Sequence, residues 1–191
     1  MMIDGRYEIR LAGLGGQGLL LAGLLLAEAA AIYEGKYAVQ SQSYAPFARG
    51  GASSSEVIIS DVEIDYPRVQ KPNLVVVLSQ DAYDAYFRDL QKDGILIVDS
   101  TMVEHVDTSK AYFYETYMIP LTEVAKQATG REMTASMVAI GVIAGLTGVV
   151  SGESLMSAVA KRAPKGTVDM NKRAVQAGID VANKLREGVV E

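Results

Sequence analysis

Six residues near the N-terminus constrain the fold of this chain more than any other stretch. Gly13-Leu14-Gly15-Gly16-Gln17-Gly18 has the spacing G-x-G-x-x-G. The alternating segment 8–12 before it predicts a strand, and the Leu- and Ala-rich segment 18–33 after it predicts a helix that is buried on more than one side. A strand, a glycine turn and a helix in this order are typical of an α/β fold.

The rest of the sequence predicts one domain of this class over residues 1–191, since a chain of 191 residues is long enough to close one core. Continuous apolar runs at 74–78 and 95–98 are typical of parallel strands with both faces covered. The segment 81–90 between them predicts a helix that buries one face. That face is expected to carry Ala82, Ala85, Tyr86 and Leu90.

Shorter patterns complete the expected architecture. They predict strands at 37–39, 54–60 and 111–119, a hairpin partner at 62–64, a loop at 41–53, and helices at 121–127, 134–146, 151–162 and 168–185. The fold class is therefore α/β, with an open, mainly parallel sheet wrapped by helices and a helical C-terminal third.

Charge and residue usage exclude several classes of function. With 18 Lys and Arg against 23 Asp and Glu, the net charge is −5 and no basic run occurs, so binding to nucleic acid is not expected. The chain has no cysteine and one histidine, His105, which removes the usual ligands of iron–sulfur clusters and zinc sites. We therefore expect no metal site here, and any redox centre must lie on another chain.

The sequence also favours a cytoplasmic protein. Its longest apolar stretch, residues 19–27, is shorter than the roughly 18 to 20 residues of a membrane span. The first residues lack the pattern of a secretory signal. No membrane association is expected.

The glycine turn itself has three interpretations. Gly13, Gly15, Gly16 and Gly18 let the backbone approach an anionic group, and the N–H groups that open the following helix point toward such a group. A dinucleotide site also requires a carboxylate about 20 residues further on, where this chain has Gln40 and Ser41. The turn therefore either packs the helix against the sheet or binds a phosphate-bearing ligand. The third interpretation, a nicotinamide dinucleotide site, conflicts with the missing carboxylate.

The loop at 41–53 is the second unusual stretch. Arg49 is a fixed cation, and Gly50 and Gly51 permit backbone angles that other residues avoid. Such a loop clamps a phosphate or carboxylate, docks a partner protein through Tyr44, Phe47 and Arg49, or is an ordered loop without a ligand.

The glycine turn, the arginine–glycine–glycine loop and the strand after it, ending in Val57-Ile58-Ile59-Ser60-Asp61, resemble the gamma subunit of the 2-oxoacid:ferredoxin (acceptor) oxidoreductases. This family acts on pyruvate, 2-oxoglutarate and branched-chain oxoacids. The resemblance continues through Pro72-Asn73, the 133–148 helix and the 171–178 segment, and so covers almost the whole chain. It differs at Ala45, Phe47 and Ser136, where the family often has a glycine, an acidic residue and a nearby asparagine.

The resemblance implies a Rossmann-like subunit of a complex that oxidatively decarboxylates a 2-oxoacid to an acyl-coenzyme A and reduces ferredoxin. It implies alpha and beta subunits, with delta in some members, that carry thiamine diphosphate, magnesium and iron–sulfur clusters. This chain would carry no cofactor and no catalytic residue. It would contact coenzyme A through Gly13, Gly15, Gly16, Gln17, Gly18, Arg49, Gly50 and Gly51.

The resemblance of the loop favours 2-oxoglutarate as the substrate, with pyruvate or a branched-chain oxoacid as alternatives. The isolated chain is expected to be inactive and to form homodimers through surface that partners normally cover. The rival functions are a stand-alone nucleotide-binding oxidoreductase and a regulatory domain that senses a nucleotide.

Overall fold

The computed structural model describes residues 5–44, 51–107 and 115–188. In this part of the chain, one mixed sheet has the strand order β2-β3-β1-β4-β5-β6. β3 is antiparallel to both of its neighbours, and the β1–β4, β4–β5 and β5–β6 pairs are parallel. The strands are β1 (Arg6–Gly13), β2 (Tyr37–Tyr44), β3 (Ser53–Ser60), β4 (Leu74–Val77), β5 (Ile95–Asp99) and β6 (Glu115–Ile119).

The helices flank this sheet and dominate the chain after β6, which confirms the predicted architecture. α1 continues directly into a π-helical turn at Ala29–Tyr33, and short 3-10 turns follow α2 and precede α4. The α-helices are α1 (Leu19–Glu28), α2 (Gln80–Tyr86), α3 (Leu121–Thr129), α4 (Ala135–Thr147), α5 (Gly152–Arg162) and α6 (Val168–Arg186). None of the helices described is long and apolar enough to cross a bilayer.

Three details of the sequence prediction are wrong. β2 continues to Tyr44 because its backbone pairs with β3 along its whole length, so the predicted loop starts later. Residues 62–64 form no strand, since the chain there turns into a loop whose later carbonyls, at Tyr66 and Arg68, accept hydrogen bonds from Arg6. Ala85 is exposed, and Tyr83 is buried in its place by stacking on the Phe87 ring. Residues 108–114 of the predicted last strand lie outside the described residues.

The two faces of the sheet are packed differently. The face under α1 and α4 is apolar, with Ile9 and Leu11 of β1 in the main core. The opposite face carries Arg10, which is 7% exposed, bonds to Glu56 at 2.8 Å and to Asp89, and lies over the Tyr86 ring. Arg10 therefore joins β1 to β3 and to the segment after α2. Removal of Glu56 would leave the buried Arg10 charge poorly compensated, so the cluster should hold that segment on the sheet.

Helices α4 and α6 cross at glycines. A Cβ on Gly141 would lie 2.1 Å from the Val175 carbonyl oxygen, and a Cβ on Gly178 would lie 2.0 Å from the Val138 carbonyl oxygen. Real Cβ atoms do not approach backbone this closely, so the two helix backbones touch only because both residues lack a side chain. This crossing anchors the C-terminal helices on the core.

Candidate functional site

A cleft of about 340 Å³ opens where the glycine turn joins β1 to α1. The C-terminal end of β1, the first turn of α1 and the start of β3 form its walls. In open α/β sheets this edge is where ligands usually bind. The cleft is lined by Leu14, Gly15, Gly16, Gln17, Gly18, Leu19, Leu20, Gln42, Ser53, Ser54 and Ser55.

The turn requires glycine at two positions and is closed by one side chain. Gly16 has φ 91° and Gly18 has φ 75°, conformations that residues with a Cβ adopt only with strain. The Gln17 Oε1 accepts a hydrogen bond from the Leu14 N–H at 2.7 Å, and its Nε2 donates to the Leu78 carbonyl at 3.1 Å. Gln17 therefore links the turn to the end of β4, and both its amide oxygen and its amide nitrogen are hydrogen-bonded within the protein.

The turn leaves a set of backbone donors without acceptors. In the part of the chain that the structure describes, the N–H groups of Gly15, Gly16, Gly18 and Leu19 have no hydrogen-bond partner. Helix α1 has no side-chain cap and no acidic residue in its first turn. Several free N–H donors at the positive end of a helix dipole suit an anion such as a phosphate group.

Serines of β3 form the opposite wall. Ser53 Oγ donates to the Gly13 carbonyl at 3.4 Å. Ser55 is 1% exposed, and its Oγ accepts a hydrogen bond from Gln40 Nε2 at 2.9 Å. Helix α1 lies close above Ser55 because residue 23 is glycine, where a Cβ would fall 2.1 Å from the Ser55 Oγ.

A third serine lies behind the turn. Ser136, in the first turn of α4, is 1% exposed, and its Oγ has no hydrogen-bond partner within the described residues. This oxygen lies 2.9 Å from the position that a Cβ on Gly18 would take. A buried hydroxyl without a partner is uncommon, and here it lies beside Gly18, the N-cap of α1.

Charge is absent from the described lining of the cleft, which contains no Asp, Glu, Lys or Arg. Its polar groups are backbone N–H donors, hydroxyls and amides. An anion in the cleft would therefore be held by neutral donors, and a ribose diol would find no carboxylate to accept from its two hydroxyls. This arrangement disfavours a nicotinamide dinucleotide.

The structure brings the predicted turn residues Gly13, Gly15, Gly16, Gln17 and Gly18 together in this one turn. The loop that carries Arg49, Gly50 and Gly51 starts and ends beside it, because Tyr44 pairs with Ser53 and Ser53 pairs with Gly13. Arg49 and Gly50 lie outside the described residues, and Gly51 is exposed just before β3.

Sequence reasoning missed the serine wall. Ser53 ended the predicted loop and Ser55 lay in the predicted strand 54–60, and neither position revealed that β3 lies next to β1. Asp99 and His105 lie outside the cleft lining. The Asp99 carboxylate is fully buried and accepts bonds from Thr101 and Thr122. His105 lies on the surface, and its backbone N–H donates to Gln80.

Comparison with known proteins identifies the family. The family model of pyruvate ferredoxin/flavodoxin oxidoreductase matches residues 8–181. This chain belongs to that family. It is 46% identical over 180 residues to the 2-oxoglutarate synthase subunit KorC of Methanocaldococcus jannaschii, a match that covers 94% of this chain and 96% of the relative.

Solved structures place this family member among the gamma subunits. The keto/oxoacid ferredoxin oxidoreductase gamma subunit from Geobacter sulfurreducens is 47% identical, with a TM-score of 0.84, and covers 94% of this chain and 97% of its own. The 2-oxoglutarate:ferredoxin oxidoreductase from Magnetococcus marinus shares the fold, with a TM-score of 0.82 at 19% identity over 95% of this chain and 32% of its own. The resemblance to gamma subunits drawn from the sequence is confirmed, and the chain is a subunit of an oxidoreductase.

Proposed function

We propose that this chain is the gamma subunit of a 2-oxoglutarate:ferredoxin oxidoreductase. The observation that carries the proposal is the 46% identity to a 2-oxoglutarate synthase subunit over almost the full length of both chains. Alpha and beta subunits, with a delta subunit in some complexes, supply thiamine diphosphate, magnesium and iron–sulfur clusters and pass electrons to ferredoxin. The absence of cysteine from this chain agrees with that division, because thiolates are the ordinary ligands of such clusters.

Within the complex, the glycine turn contacts coenzyme A. Coenzyme A carries phosphate groups, and the free N–H groups of Gly15, Gly16 and Gly18 are donors of the kind that phosphate oxygens accept. Gly13 and Gln17 shape the turn, and the loop with Arg49, Gly50 and Gly51 starts and ends beside it. Arg49 would add the cation that the described lining lacks.

Copurification tests the assignment of the chain to a complex. The tagged chain, expressed at its native level, is expected to emerge with larger chains in fixed stoichiometry, with the visible absorbance of iron–sulfur clusters and with bound thiamine diphosphate. Alone it should turn over no substrate and form homodimers through its uncovered apolar surface. A chain that purifies without partners and with bound nicotinamide dinucleotide would favour the stand-alone oxidoreductase instead.

Substrate preference is tested on the purified complex. We expect kcat/KM to be highest with 2-oxoglutarate, with pyruvate and a branched-chain oxoacid clearly poorer, when reduction of ferredoxin is followed under anaerobic conditions. Oxoacid selectivity belongs mainly to the chains around thiamine diphosphate, so the gamma subunit alone does not set it. Equal or better turnover of pyruvate would reject 2-oxoglutarate as the substrate while retaining the family assignment.

A further inference from the structure

We propose that the Ser55 hydroxyl, oriented by Gln40, donates a hydrogen bond to a phosphate group of the ligand in the cleft. This inference rests on the proposed contact between the glycine turn and coenzyme A. It adds a binding residue on β3 and a positioning residue on β2, both outside the glycine turn.

The geometry of the pair supports a donor role. Gln40 Nε2 donates to Ser55 Oγ at 2.9 Å, so the amide occupies an acceptor position of the hydroxyl. Within the described residues, the Ser55 hydroxyl proton has no acceptor of its own. Ser55 is 1% exposed yet lines the cleft, and a buried hydroxyl in this state favours an acceptor supplied by a ligand.

Gln40 orients the hydroxyl from outside the cleft lining. It lies in the middle of β2, and β3 lies between β2 and β1, so Ser55 stands between the Gln40 amide and the glycine turn. Because the amide donates to the hydroxyl oxygen, the hydroxyl proton is left to be donated to a phosphate oxygen.

The glycine turn presents donors on the wall opposite Ser55. The N–H groups of Gly15, Gly16 and Gly18 have no partner within the described residues, and the described lining contains no carboxylate. Ser136 Oγ, also buried and without a partner among the described residues, lies behind Gly18 and outside the lining. Donors on both walls suit the oxygens of a phosphate group.

The test is steady-state kinetics of the assembled complex with coenzyme A as the varied substrate. Ser55→Ala should raise the KM for coenzyme A about tenfold, the expected loss for one hydrogen bond to a charged group, and leave the KM for 2-oxoglutarate unchanged. Gln40→Leu should raise it about threefold, because the hydroxyl remains but is no longer oriented. Inorganic pyrophosphate, used as a competing probe, should weaken as an inhibitor in the same order.

Gln40→Glu separates a donor role from a packing role. A carboxylate at residue 40 would accept the Ser55 proton and add negative charge, so the KM for coenzyme A should rise more than in Ser55→Ala. The matched control is Ser60→Ala, since Ser60 is a buried serine at the other end of the same strand. Thermal unfolding of each isolated variant chain shows whether the fold is retained.

The outcomes distinguish this inference from the function on which it rests. If the wild-type complex shows no dependence on coenzyme A, the proposed function fails. If wild-type dependence is normal and folded Ser55→Ala and Gln40→Glu complexes keep the wild-type KM, this inference alone is overturned. A tenfold rise in Ser55→Ala with no change in Ser60→Ala supports it.

Discussion

Glycine serves opposite purposes in two regions of this molecule. At the crossing of α4 and α6, Gly141 and Gly178 remove side chains so that two backbones can touch. In the turn after β1, no heavy atom of the described residues lies within 4 Å of the position that a Cβ on Gly15 or Gly16 would take. At the crossing, glycine lets the backbone of one helix pack directly against the backbone of the other. In the turn, the missing side chains leave the cleft and its N–H donors accessible.

Because of this difference, substitutions in the two regions should affect different properties, the stability of the fold at the crossing and the binding of a ligand at the turn. Helices α4 and α6 pack in a region where added atoms meet protein on every side, and so substitutions there act on folding. Gly15 and Gly16 of the turn face an open cleft, and so substitutions at these two positions should act more on ligand contact and less on folding than those at the crossing. Substitutions at four positions test this separation, from the largest expected loss of stability to the smallest.

Gly178→Ala should have the largest effect. Its Cβ would fall 2.0 Å from the Val138 carbonyl oxygen, and backbone cannot move aside as a flexible side chain can. We expect the free energy of unfolding to fall by about 3 kcal/mol, the upper part of the range for overpacked cores, in urea denaturation followed by circular dichroism. The control is Gln176→Ala, an exposed position on the same helix. A loss below about 1 kcal/mol in Gly178→Ala would contradict the tight crossing.

Gln17→Leu should have the next largest effect, because it leaves the Leu14 N–H and the Leu78 carbonyl without partners at partly buried positions. The expected loss is about 2 kcal/mol in the same denaturation experiment. Gln176→Leu is the matched control, since that amide is exposed and, among the described residues, bonds to Asp180 alone. Equal losses in the two variants would show that Gln17 does not hold the turn.

Gly16→Ala should have a moderate effect. The residue has φ 91° but open space around it, so the cost is backbone strain without a steric clash. We expect about 1 kcal/mol of lost stability. A loss as large as that of Gly178→Ala would show that the turn is packed like the crossing, and the comparison between the two regions would fail.

Gly15→Ala should have the smallest effect on stability, within about 0.5 kcal/mol, because its φ is not positive and its Cβ would meet no atom in the part of the chain that the structure describes. The methyl group would project beside the free donors of the turn. The KM of the complex for coenzyme A should therefore rise while the unfolding transition stays in place. An unchanged KM would argue that the turn only packs the helix against the sheet.

Local patterns predicted much of this fold. The apolar runs that became β4 and β5 could be recognised because strands covered on both faces have few polar positions. The glycine turn and the C-terminal helices were recognised from their spacing in the same way. These elements depend on neighbours within a few residues, and so a single sequence carries their signal.

Pairings over long distances could not be predicted. Residues 41–44 of β2 are mostly polar and resembled a loop, because the strand lies at the edge of the sheet and needs no apolar pattern. The insertion of β3 between β1 and β2 decides which residues face the cleft, yet nothing local in 53–55 indicates it. The tie from Gln17 to Leu78 likewise joins residues far apart in sequence.

Reconstitution of the complex tests whether this chain is an obligatory but inactive subunit. The purified chain, its partner subunits without it, and the reassembled complex are each supplied with 2-oxoglutarate, coenzyme A and oxidised ferredoxin under anaerobic conditions. We predict reduced ferredoxin and succinyl-coenzyme A only from the reassembled complex. Turnover by the purified chain alone, or full turnover by the partners without it, would show that the chain is not such a subunit.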